Sequence, residues 1–159
     1  MSALLAIVVL AAVPLAGAVV PVHQRPAILE FHLVDDQDNS AQADQSSEAP
    51  PGDKLYTMRD GTHILLKRDA VATGDQITHA MVKTTQQGPI IYVRLDARGA
   101  DSMLSTTREN VGHRMAVVYN GQVINAAVIR GAFGQQFQVS GLTAAEAHSL
   151  AMQLTRASN

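Results

Sequence analysis

Six histidines, at positions 23, 32, 63, 79, 113 and 148, are the residues best suited to holding a metal, but no two share the i, i+4 spacing of a zinc-binding helix. Without that convergence they read as surface or strand-face imidazoles. Ser102, Ser105 and Ser140 are candidate nucleophiles, yet none lies in the G-x-S-x-G turn that presents a serine to its base. Asp75, in Thr73-Gly74-Asp75, has the chemistry of a catalytic acid, but an Asp after Gly and before a short helix is more simply a capping group. The glycines of RGAFGQQ, residues 130–136, lack the G-x-G-x-x-G order of a phosphate cradle. Arg108 and Glu109, at the end of an amphipathic stretch, read as a solvated face. No residue set here carries a reaction, and the expectation is a protein that is not an enzyme.

Composition narrows the partners. Twelve Lys and Arg against fourteen Asp and Glu give a net charge of -2, without the basic excess of a nucleic-acid binder. Aromatic residues make up 4% and Trp is absent, which argues against stacking platforms for bases or sugars. The absence of Cys excludes disulfides and thiolate metal sites. Residues 1–22 carry no charged side chain, and Ala16-Gly17-Ala18 fits the small-x-small pattern of a signal-peptidase site. Residues 1–18 are therefore expected to be a signal peptide or a membrane anchor, the latter because the apolar run approaches the roughly 20 residues that span a bilayer. Cleavage after Ala18 is the sharper expectation. Both readings place the body of the chain across the membrane, in the periplasm.

The elements follow from periodicity. In residues 19–34, an N-terminal strand region, Leu29, Phe31 and Leu33 alternate with Glu30 and His32, the pattern of a half-buried strand. Residues 35–53 contain six acidic residues, no basic one and Pro50-Pro51-Gly52, and read as a flexible acidic linker. Setting those six aside leaves eight acidic against twelve basic residues, so the remainder is mildly cationic. Residues 54–159 form the expected folded domain. Asp60-Gly61 signals a hairpin between 55–59 and 62–67, and residues 70–78 a turn feeding a short helical stretch. GPIIYVRLD, residues 88–96, is rich in β-branched residues and reads as a strand. Ala100, Met103, Leu104, Thr107 and Val111 define a helix face that Gly112 is placed to close.

Asn120-Gly121 is the favoured dipeptide for a tight turn between strands 115–119 and 123–127. Residues 135–141 read as another short strand. Thr143 and Glu146 have capping-box spacing, with Ala147, Leu150, Ala151 and Leu154 as one apolar stripe behind them. From Ile90 onward the order is strand, helix, three strands, helix. That order predicts an α+β fold, a ferredoxin-like split βαβ arrangement with a mostly antiparallel sheet and two helices on one face.

Four blocks of this sequence resemble a known family. LEFHLVDD at 29–36, MRDGTHILLKRDAVATGDQIT at 58–78, TRENVGHRMAVVYNGQVINAAVI at 107–129 and FQVSGLTAAEAHSLAMQL at 137–154 are similar to the first periplasmic domain of SecD, the membrane subunit of a bacterial protein-export accessory complex. The resemblance runs from about Leu29 to Leu154. It implies a head domain projecting into the periplasm, an unfolded preprotein or a protein-export translocase subunit as partner, and no cofactor. Gly61, Thr73, Gly74, Asp75, Asn110, Gly112 and Gly141 fall in the matching blocks and are expected to be structural. Full SecD carries six transmembrane helices whose acidic residues serve proton-coupled pulling; the sequence in hand ends at TRASN, so a stand-alone head-like protein is expected. A mildly basic head with short edge strands can capture an extended chain by adding it as a strand. The candidate edge is Gln136, Phe137, Gln138 and Val139. The rival expectations are a small ligand-binding protein or enzyme reusing the fold, and an inactive fragment.

Overall fold

The computed structural model describes residues 29–36 and 52–157. The expected signal peptide or anchor, His23 and most of the acidic linker lie outside the described residues. Among the described residues, nine strands and two helices follow in the order β1 (Leu29–Leu33), β2 (Asp53–Thr57), β3 (His63–Lys67), β4 (Ala72–Thr73), β5 (Ile77–Thr85), β6 (Gly88–Leu95), α1 (Ala97–Glu109), β7 (Arg114–Tyr119), β8 (Gln122–Val128), β9 (Gln136–Val139) and α2 (Ala144–Ala157). A 3-10 turn at Gly74–Gln76 links β4 to β5.

The class is α+β, with antiparallel ladders throughout the named strands. The strands divide among three hydrogen-bonded groups, β4-β1-β7-β8, β5-β6-β9 and the hairpin β2-β3. The crossover β6–α1–β7 of a split βαβ unit is present, but its two strands sit in different groups. The reason is edge occupancy: β1 and β8 fill both sides of β7, and β5 and β9 fill both sides of β6. The strand β5 had no signal in the sequence reading. Its ITHAMVKTT alternates too weakly, and only pairing with the apolar β6 fixes it as a strand.

The main core lies between the two larger sheets. Leu29 and Phe31 of β1 meet Ile91, Val93 and Leu95 of β6, Met103 of α1, and Ala147, Leu150 and Leu154 of α2. These side chains come from one face of each element, as their periods of 2 and about 3.6 require. The second face of the four-stranded sheet is covered as well. Tyr56, Ile64 and Leu66 of the β2–β3 hairpin pack on Val34, Ala116, Val118 and Val123. The strand β1 is therefore buried on both faces, not half-buried as its alternation suggested. His32 ends up 3% exposed, against Tyr56, with Nδ1 2.9 Å from the Lys67 carbonyl and Nε2 3.3 Å from a Glu30 carboxylate oxygen.

Two helix ends show how local chemistry sets boundaries. Asp96 caps α1 by accepting the Gly99 N–H at 2.7 Å. The helix ends at Glu109, and Asn110 closes it: its backbone and side-chain N–H groups both donate to the Thr106 carbonyl. Gly112 does adopt a left-handed φ of 94°, but its N–H donates to Ile129, so it turns the chain into β7 instead of closing the helix. Leu104 and Val111, expected on the apolar face of α1, are exposed.

At α2 the capping box forms as expected. The Thr143 N–H donates to Glu146 Oε2 at 2.8 Å, and the Glu146 N–H donates to Thr143 Oγ1 at 3.3 Å. Arg59, at the tip of the β2–β3 hairpin, adds a 2.7 Å bond to the same Glu146 oxygen. That guanidinium, with the Thr143 amide and hydroxyl, holds the Glu146 carboxyl down at about 2. A depressed carboxyl contributes stability that is present above its ordinary value of 4.5 and is lost as pH falls from there toward 2. We expect Glu146→Gln to flatten the acid limb of a pH-dependent thermal melt over that window. An unchanged acid limb would mean the box and its arginine do not hold in solution.

Candidate polypeptide-binding edge

The expected edge, β9, lies at the border of its sheet, paired only to β6 among the described residues. Antiparallel ladders alternate bonded and non-bonded pairs. The Leu95 N–H donates to the Gln135 carbonyl at 2.9 Å. Stepping by two along this register makes Val93–Phe137 and Ile91–Val139 the bonded pairs. Gln136 and Gln138 then oppose Arg94 and Tyr92 in non-bonded pairs, and their N–H groups point away from β6. Phe137 and Val139 turn their side chains inward, while Gln136 and Gln138 remain exposed.

A second open edge faces the first. The strand β8 borders the four-stranded sheet. The Ile129 N–H donates to the His113 carbonyl, so the same alternation turns the amides of Ala126 and Val128 away from β7. The two edges meet at one end, where Asn125 Nδ2 donates to Ser140 Oγ at 3.1 Å. Gly141, at φ 96°, presses its backbone onto Ile124 there. Beyond that junction an apolar cavity of about 220 Å³ opens between them, lined by Phe31, Met115, Val117, Phe133, Phe137 and Val139 among others. Small-molecule pockets usually enclose about 300–1,000 Å³, so this cavity suits a side chain better than a free ligand.

Aromatic packing gives the cavity a firm wall. The Phe137 ring lies edge-on to Phe31 with centroids 5.0 Å apart and 5.7 Å from Phe133. Phe133 belongs to the loop between β8 and β9, and α1 fixes it. Thr107, fully buried, places its hydroxyl 2.7 Å from the Met103 carbonyl and 2.9 Å from the Phe133 carbonyl, either of which can accept its one proton, and accepts the Phe133 N–H at 3.0 Å. Phe133 does not stand out in the sequence, and Thr107 does so only as a position on the apolar face of α1. An aromatic residue inside a Gly-rich loop was the one available signal. On the outer face of the same sheet, Met81, Tyr92, Arg94, Gln136 and Gln138 border a shallow depression of about 640 Å³.

The remaining candidates lie outside the lining of the apolar cavity. Ser102 and Ser105 donate to the carbonyls of Val71 and Ser102, and Ser140 accepts from Asn125. His63, His79, His113 and His148 are exposed. No group of three metal-binding side chains converges among the described residues. Arg108 and Glu109 are exposed as expected. The cap of the 3-10 turn is not Asp75: the Thr73 N–H donates to Gln76 Oε1 at 3.0 Å, and Asp75 accepts the Thr73 hydroxyl. Gln76 reaches that N–H because it stands at the third position of the turn, from which a side chain folds back to the N-cap amide. Gly74 is buried against the Leu29 backbone and Leu154, and Gly61 turns the β2–β3 hairpin at φ 85°. None of these seven structural positions lines the edge except Gly141, at its closed end.

Comparison with known proteins fits this architecture. Residues 53–158 match the family described as the SecDF P1 head subdomain. The chain belongs to that family. Protein translocase subunit SecD from Calditerrivibrio nitroreducens is 33% identical over 144 residues, covering 82% of this chain and 28% of the relative. The SecD subunit of Escherichia coli K12 is 30% identical over 137 residues, covering 73% and 22%. Thus the chain spans about a quarter of the length of these SecD relatives. A crystal structure of SecDF in a super-membrane-facing form aligns at TM-score 0.58 and 28% identity, over 81% of this chain and 18% of that one. A second structure, of a membrane component SecDF that enhances protein export, aligns at TM-score 0.58 and 27% identity, over 81% and 62%. The relatives are protein translocase subunits, so the P1 head family is one of protein translocation. Among the described residues no helix is long and apolar enough to cross a membrane.

Proposed function

We propose that this chain is a non-enzymatic, periplasmic P1-head-like protein that binds an unfolded, translocating polypeptide or a translocase partner and so assists protein export. One observation supports this most: the amides of β9 point away from β6 beside an apolar cavity of side-chain size. An extended chain laid along β9 satisfies those amides and sends every second side chain toward Phe137 and Phe133. Main-chain pairing supplies affinity for many sequences, as a translocating chain demands. The cavity adds a preference for apolar residues, which unfolded chains expose. Weak capture suffices to hinder backsliding, so no cofactor and no reacting group are needed.

The test is a titration of a labelled, unfolded preprotein segment against the folded chain and its variants. Proline at Gln138 removes an outward amide. A net backbone hydrogen bond contributes about 1 kcal/mol, so Gln138→Pro should weaken binding about fivefold to tenfold. His113→Ala and Asp75→Ala, whose side chains are exposed and do not line the cavity, should bind as the wild type does. Equal binding by Gln138→Pro would remove the edge from the account. Selective loss in His113→Ala or Asp75→Ala would point to a discrete polar site.

A further inference from the structure

The β2–β3 hairpin is held to the rest of the fold by charge at both ends and by apolar contact between. At its tip, Arg59 reaches Glu146 of α2. At its base, Lys67 Nζ contacts carboxylates from both sides, Asp35 just beyond β1 and Asp53 at the start of β2, the second at 3.2 Å. The Val34 bridge to Leu66, and the Asp35 N–H donating to the Leu65 carbonyl, carry the backbone across the same junction. Beyond this point its backbone meets β8 in an isolated bridge between Met58 and Val123, beside the apolar packing of Tyr56 and Ile64 on that sheet. An isolated two-stranded hairpin is marginal in water, so its order depends on these attachments.

The base holds one cation between two shielded acids. The side chains of Asp53 and Asp35 are 6% and 12% exposed, and both carboxylates converge on the same Lys67 Nζ. Among the described residues, the charged and titratable neighbours on β1 and β7 have partners of their own. His32 and Glu30 on β1 face each other, and Arg114 at the start of β7 binds Asp36, with His113 3.9 Å from the same carboxylate. With both acids ionised, the base carries an excess negative charge away from water. Like-charged carboxyls brought together on one lysine favour sharing a proton.

We propose that Asp35, Asp53 and Lys67 form a proton-responsive clasp that docks the β2–β3 hairpin more firmly in mildly acidic than in neutral solution. A shared proton turns the repulsion between the acids into a hydrogen bond and leaves Lys67 paired with the remaining charge. Burial first, and then the Asp35 carboxyl, raise the Asp53 carboxyl above 3.8, while Lys67 opposes them. A group raised in the folded state binds its proton there before it does in the unfolded chain. Docking strength is then greatest at low pH and falls as pH rises through the folded value. The Glu146 pair has the opposite sign and acts only below 4.5, so the two ends of the hairpin respond in different windows. The clasp concerns how the hairpin is held and does not depend on polypeptide capture at β9.

Amide hydrogen exchange reads this directly. The Arg68 N–H donates to the Gly52 carbonyl, so in this register the amides of Lys54, Tyr56, Ile64 and Leu66 face across the hairpin and report its opening. Protection factors should be compared at about pH 7.5 and pH 5, with β6 amides as the reference; that range stays above the ordinary Glu value. Wild-type protection should rise on acidification, by up to about tenfold for each unit by which the folded carboxyl lies above the lower pH of the comparison. Asp53→Asn mimics the protonated acid. It should be at least as protected as the wild type at pH 7.5 and insensitive to pH. Lys67→Met, which leaves two carboxyls alone, should lose protection at pH 7.5 and recover at pH 5. Lower protection of Asp53→Asn at pH 7.5 would show that the Lys67 ion pair is a simple attachment and overturn the clasp. A pH dependence that persists in Asp53→Asn would place the titrating group elsewhere, on His32 or Glu30, and overturn it equally.

Discussion

Replacing Leu150 by alanine lowers the stability of the folded chain by about 2–5 kcal/mol, the range for removing a buried Leu from a packed core. Leu150 is fully buried, midway along α2, between Ala147 and Leu154 on the stripe that packs against Ile77, Ile91 and Val93. The side chains around it come from several elements, so the cavity left behind has little freedom to collapse. Met152, two residues on and 58% exposed, is the matched control; Met152→Ala should fall within about 0.5 kcal/mol of the wild type. A urea melt of both variants checks this. Equal midpoints would mean that α2 is not docked as described. Thr143→Ala, which removes half of the capping box on the same helix, should cost about 1 kcal/mol.

The second large effect belongs to Gly141. At φ 96° the residue sits where an L side chain is strained, and a Cβ there would lie 2.6 Å from the Ile124 carbonyl oxygen. Positive φ costs about 1–3 kcal/mol for a non-Gly residue, and a backbone atom cannot move aside as a side chain can. Gly141→Ala should therefore destabilise by about 3 kcal/mol, of which the φ term alone accounts for a part. The clash lies at the closed end of the two strand edges, so its structural signature should be specific. The Asn125 and Ser140 resonances should shift in an amide NMR spectrum while those of the β2–β3 hairpin stay put. Gly121→Ala tests the φ term alone, because its φ is 79° but a Cβ there meets nothing within 4 Å. If the two variants lose the same stability, close approach at Gly141 contributes nothing.

Much of this architecture is legible in the chain itself because it depends on neighbours in sequence. The Asn120-Gly121 turn forms since both residues tolerate positive φ, and they adopt 49° and 79°. Thr143 and Glu146 find each other at three residues' distance, and the stripe from Ala147 to Leu154 follows from one helical period. The edge position of β9 was anticipated from its shortness and the irregular loop before it. Even the class, α+β with antiparallel pairing, follows from the order of elements.

What the sequence could not determine depends on residues far apart. His32 reads as a solvent-facing position in an alternating strand, yet the β2–β3 hairpin, arriving more than twenty residues later, buries it. Asp35 and Asp53 look like two charges of an acidic linker, but the fold brings them together on Lys67. Asp75 looks like the cap, and the reach of Gln76 decides otherwise. The strand β5 exists because β6 offers it a ladder, not because its own side chains alternate. The cavity beside β9 has the same origin. Its wall needs Phe31 from β1, Phe137 from β9 and a loop that Thr107 pins to α1, and no local period encodes that meeting. Local propensity and period fix each element and its apolar face. Which faces and edges remain open is decided only when distant elements compete to cover them.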